Sequence, residues 1–102
     1  MERVLGDEEL AKELIMSFLE DTPAQIGNLK EMIEAGVVAD AERLAHSIKG
    51  ASANLGGDAL RAASYEVEKA AKTGNCDSAM KLVPELERQF ELFREEMRRF
   101  LG

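Results

Sequence analysis

Apolar residues recur along this chain at spacings of three and four, the period of an amphipathic helix. No stretch alternates apolar and polar residues as a half-buried strand would. The first stripe carries Leu10, Leu14, Ile15 and Phe18, begins after the N-cap candidate Asp7 and ends near Asp21. Thr22-Pro23-Ala24-Gln25 then reads as a second start. Thr22 is the cap, Pro23 suits the first helical position, and Gln25 sits where a capping box places it. That helix shows Ile26, Leu29 and Ile33 and stops at Gly36. The next runs from about Val38 to Leu55, with Ala41, Leu44, Ile48, Ala51 and Leu55 on one stripe. Gly56-Gly57-Asp58 is a tight break, and Asp58 is the cap expected for a helix striped with Leu60, Ala63, Val67 and Ala70 and ending at Gly74. The last helix starts near Asp77 or Ser78 and carries Ala79, Val83, Leu86, Phe90, Phe93, Met97 and Phe100, a spacing suited to near-antiparallel packing. Pro84 falls inside it and predicts a kink, or a helix proper that begins there. Short breaks make successive helices antiparallel neighbours. The pattern thus predicts an all-α fold: an antiparallel up-down four-helix bundle with a short additional N-terminal helix, one domain over residues 1–102.

Composition narrows the function. The 102 residues are 45% hydrophobic and 32% charged, which is globular rather than disordered. The net charge of −7 argues against a nucleic-acid binder, which needs basic patches to neutralise phosphates. No apolar run approaches the ~20 residues of a membrane span. No basic stretch followed by an apolar run stands at Met1, so no secretory leader is expected. The single cysteine, Cys76, can form no internal disulfide and is expected to be an unemployed thiol. One His and one Cys exclude a His/Cys zinc cluster, and no pair of Glu-x-x-His motifs offers a bundle metal site. Gly-rich phosphate loops and a nucleophile elbow are absent. Met16, Met32, Met80 and Met97 read as core filler or patch residues, Phe90, Phe93 and Phe100 as core, and Asp7–Glu9 and Glu95–Glu96 as solvated faces, with Arg98 and Arg99 offsetting the helix dipole.

The informative residue is His46. Residues two apart on a helix are rotated by about 200°. His46 is two residues from both Leu44 and Ile48, so it points away from the core stripe. Glu42, Arg43, Lys49, Gly50 and Ala53 share its face. A mid-helix Gly costs ~1 kcal/mol relative to Ala, and this helix uses Ala freely elsewhere. Gly50 at i+4 clears the space over the imidazole, and Lys49 at i+3 sets a cation beside it. A displayed imidazole, a cation and an open approach suit an anionic electrophile, of which the phosphoryl group is the obvious one. Imidazole is an established covalent nucleophile, and phosphoryl transfer asks mainly for positioning and charge stabilisation. No acidic triad for Mg²⁺ lies nearby in sequence. The metal and the leaving carboxylate are therefore expected from a partner, and no cofactor of its own.

The run Ala45-His46-Ser47-Ile48-Lys49-Gly50-Ala51-Ser52-Ala53-Asn54-Leu55-Gly56 resembles the His-x-x-Lys-Gly signature of histidine phosphotransfer (HPt) domains, in the form found in hybrid sensor kinases. Phe18-Leu19-Glu20-Asp21-Thr22-Pro23 resembles the family's Phe-x-x-Asp-x-Pro start. Leu60 and Val67-Glu68 match the helix after the active one, and Gly74-Asn75 the turn before the last. The resemblance implies a helical bundle that takes a phosphoryl group on His46 from a receiver-domain aspartate and passes it to another receiver. It implies charge balance by Lys49, access at Gly50, and Glu68 beside the imidazole, where it would orient the ring but also repel phosphate. Ser47, Ala53 and Gly57 are expected to face the partner, and Glu42 and Arg43 to form either a local pair or part of a charged rim for it. The chain departs from the pattern at Gly36-Val37, where relatives often have Gly-Asp. It also has Tyr65 where chemotaxis kinases have a second His, which favours the hybrid-kinase or free-standing type. These readings make the chain a phosphohistidine carrier without turnover of its own: a cytoplasmic monomer, or the cytoplasmic part of a membrane-anchored kinase, that itself contacts neither membrane nor nucleic acid. The alternative is a docking bundle that regulates a receiver-like or helical partner by occupancy alone.

Overall fold

The computed structural model describes residues 8–102. It contains four helices and, among the described residues, no strand: α1 (Glu8–Ala35), α2 (Val38–Asn54), α3 (Asp58–Lys72) and α4 (Cys76–Leu101). The cap expected at Asp7 lies outside the described residues.

The helices end where the glycines were read as stops. Gly36, at φ +77°, donates to the Ile33 carbonyl at 3.1 Å, and Val37 donates to Met32 at 2.9 Å. This crossed pair satisfies the last carbonyls of α1 and needs a residue free to take the left-handed conformation. The same pair of bonds recurs at Gly56-Gly57 and Gly74-Asn75. Starts are less regular. Asn75 caps α4 by accepting from the Ser78 amide at 3.0 Å. Val37 and Gly57 precede α2 and α3 with no side-chain cap. Asp58, expected as a cap, is instead the first helical residue of α3, where its charge favours the helix N-terminus.

The expected break at Asp21–Thr22 does not occur, and the short additional helix is the first part of α1. Ile15, Phe18, Thr22, Ile26, Leu29 and Ile33 are all buried. Their spacing carries one stripe straight through the proline. Pro23 removes one backbone donor, a cost of about 3 kcal/mol inside a helix, and continuous burial on both sides of it outweighs that loss. Thr22 therefore packs inside, without a hydrogen bond to its hydroxyl, instead of capping. In the same way α4 runs as one helix through Pro84, starting at Cys76.

α3 packs on α2 and α4, and α1 packs on the same two helices. Leu29, Ile48, Leu60, Val67 and Leu86 form the sealed centre. Phe18 meets Phe93 edge-on at 5.7 Å and Phe90 at 6.1 Å. Buried Ser52 and Ser64 donate back to the carbonyls of Ile48 and Leu60. Leu10, Leu14 and Phe100, expected on buried stripes, are exposed. The reason is length: α1 has 28 residues and α4 26, against 17 in α2. The long helices outrun the short ones. Ala11, Leu14, Ile15, Met97 and Phe100 then line an open groove beside Asn54 and Leu55 at the end of α2.

Candidate functional site

Burial fixes which way α2 faces. Ala41, Ala45, Ile48 and Ser52 are its buried positions. His46 lies between Ala45 and Ile48 in sequence yet on the opposite side, with 65% of its side chain exposed. Its Nδ1 is 3.0 Å from Glu68 Oε2 on α3, which follows the core residue Val67. A carboxylate only accepts, so Nδ1 carries the proton in the neutral ring, and Nε2 keeps its lone pair for solvent. The other oxygen, Glu68 Oε1, is 2.9 Å from Lys49 Nζ. One carboxylate thus holds the imidazole and the ammonium together. Partial burial pushes the Glu68 pKa up. Hydrogen bonds from Lys49 and His46, aided by their charges, outweigh that and leave it below the ordinary Glu value.

Gly50, one turn after His46, is exposed, and a methyl group placed there would meet no atom within 4 Å. The backbone at Gly50 is bare and faces open space. Glu42, Arg43, His46, Ser47 and Glu68 line one shallow cavity. Arg43 is tied back to Asp40 rather than to Glu42. Ser47 also borders a second groove between α1 and α2, formed by Leu14, Phe18, Asp21, Thr22, Gln25, Ala51, Asn54 and Leu55. Ala53 is exposed. Gly57 is not part of this face. It is buried, and a Cβ there would stand 3.0 Å from Phe93 Cε1, so the glycine serves the packing of that ring.

Sequence reading missed the contacts of Tyr65. Lys49 Nζ lies 4.9 Å from the centre of its ring, and Lys69 Nζ 4.7 Å. The signal was present, since Tyr65, Glu68 and Lys69 stand at i, i+3 and i+4 on α3 and so share a face. Among the described residues no group of three or more His, Cys, Asp or Glu side chains could hold a metal ion. No described helix is long and apolar enough to cross a membrane.

The family model of the Hpt domain matches residues 13–100, which include the whole site. The chain belongs to the Hpt domain family. No curated protein and no solved structure gives a significant match. Hpt domains are phosphocarrier modules of two-component signalling, working with response-regulator receiver domains. The four helices here are a bundle of that kind.

Proposed function

We propose that His46 is the phosphoacceptor of a phosphorelay and that Nε2 is the reacting atom. The observation that carries this reading is an exposed imidazole tethered at Nδ1 to Glu68, with bare backbone at Gly50 alongside. The Nε2 lone pair attacks the phosphorus of a receiver's aspartyl phosphate. The Nε2–P bond forms, the P–O bond to the aspartate breaks, and the carboxylate leaves with its electron pair. The ring then carries positive charge, its Nδ1 proton still shared with Glu68. Glu68 orients the ring and stabilises that charge, while Lys49 offsets the phosphoryl oxygens. The receiver supplies Mg²⁺ and the leaving group. Transfer onward to a second receiver reverses the same step. In this reading the bundle is up-down, monomeric and cytoplasmic, free-standing or part of a hybrid kinase. Glu42, Arg43, Ser47 and Ala53 border the approach.

The test is labelling by a phosphorylated receiver with Mg²⁺. The expected product is acid-labile and alkali-stable. His46→Gln should abolish it while leaving the helical circular dichroism unchanged. Labelling that survives that substitution overturns the assignment. Equal signalling output from His46→Ala would instead support a bundle that acts by docking alone.

A further inference from the structure

We infer that Tyr65 is a positioning residue whose ring gathers the ammonium groups of Lys49 and Lys69, giving a phosphoryl group on His46 a second cation. The inference rests on the phosphoacceptor reading of His46 and adds to it.

The argument starts from charge. Lys49 Nζ sits 2.9 Å from Glu68 Oε1, so its charge is already matched by that carboxylate. A phosphoryl group arriving on Nε2 brings nearly two more negative charges. Arg43 is tied to Asp40, and Glu42 adds a like charge to the rim. Among the described residues, Lys69 is the cation that shares a ring with Lys49: its Nζ lies 4.7 Å from the centre of Tyr65, and that of Lys49 4.9 Å. Lys69 also pairs with Glu66 at 3.2 Å, an exposed i,i+3 pair of the weakly held kind. An aromatic face attracts ammonium groups without adding a negative charge that would repel phosphate. Fixing a lysine stem costs rotamer freedom, and a ring and a carboxylate on α3 do this for Lys49 before the phosphoryl group arrives. Tyr65 itself is 41% exposed, so its replacement leaves the core alone.

The experiment uses phosphoramidate as the donor, so no receiver surface enters the rate. The Nε2–P bond forms while the P–N bond of phosphoramidate breaks and ammonia leaves with its electron pair. In the unlabelled protein, the ε-methylene protons of Lys49 and Lys69 should show upfield ring-current shifts by NMR. These should persist in Tyr65→Phe and vanish in Tyr65→Leu. Labelling of His46 should slow about two- to fivefold in Tyr65→Leu and recover in Tyr65→Phe. Lys69→Ala should slow labelling in the native background but not in Tyr65→Leu, because the two act as one unit. Unchanged labelling in Tyr65→Leu, or lysine signals unmoved by it, overturns the inference. A native chain that labels no faster than His46→Gln overturns the phosphoacceptor reading itself, a failure seen without any Tyr65 variant.

Discussion

The two sides of α2 follow opposite rules. Inward, Ala41, Ala45, Ile48 and Ser52 are sealed from water, and every polar group there is paired. Outward, His46, Ser47 and Gly50 are exposed, and the side chains that matter are tethered rather than packed. The inner side sets where the helix sits, and the outer side inherits its placement from it. Chemistry and stability should therefore separate by helix face.

Substitutions can break that separation or sharpen it. His46→Gln is expected to remove labelling entirely without a change in melting. Leu86→Ala, at a fully buried position, should lower stability by about 2–5 kcal/mol in denaturant titration, through lost burial and the cavity left behind. Gly50→Arg should fold normally yet slow transfer about a hundredfold, because it misplaces the reacting groups. Comparable transfer by that variant would remove the access role of Gly50. The two glycines near the ends of this comparison should respond oppositely to Ala. Gly50→Ala should stabilise the helix by about 0.5–1 kcal/mol, since nothing crowds the new methyl. Gly57→Ala should destabilise by about 1 kcal/mol, because the new methyl would stand 3.0 Å from Phe93 Cε1 and the ring, packed edge-on against Phe18, must shift to admit it.

The smallest effect concerns pH. The pKa of Glu68 is depressed from its ordinary value of 4.5. Its contribution to stability is therefore complete above that value and is lost as pH falls through the lower, folded-state pKa. Between pH 6 and 3 the native chain should lose slightly more stability than Glu68→Gln does. An equal loss would mean that the carboxylate tether adds nothing to the fold.

Most of this was legible in the sequence. Glycines with a left-handed requirement announced the helix ends, and the stripe through Ile48 announced which way His46 points. The failures share a cause. Thr22-Pro23 and Pro84 carry strong local signals, and local signals yield when a buried stripe continues across them. Leu14 and Phe100 have the right period but lie where the shorter helix has already ended, and period alone says nothing about the length of a neighbour. Gly57 looked like part of an exposed turn because the aromatic ring above it comes from a helix more than 30 residues away. The Glu68 bridge was placed by family resemblance, and its second partner, Lys49, came only with coordinates. Tyr65 was read as a departure from a pattern, while its use depends on lysines from two helices meeting at one ring.

The overhang of the long helices has a directional consequence. Travelling from His46 towards the C-terminal end of α2, the surface passes Ser47 and Ala51 to Leu55, Leu14 and Phe100, a greasy ledge. Travelling the other way, it passes Arg43, Glu42 and Asp40, all ionic. The imidazole stands on the border. A visitor with one oily flank and one charged flank can lie across it in a single sense, because turning it end for end would strand charge on the ledge and oil among the ions. The ground on the two sides of the imidazole thus differs in kind, and a mismatch of helix lengths makes the difference.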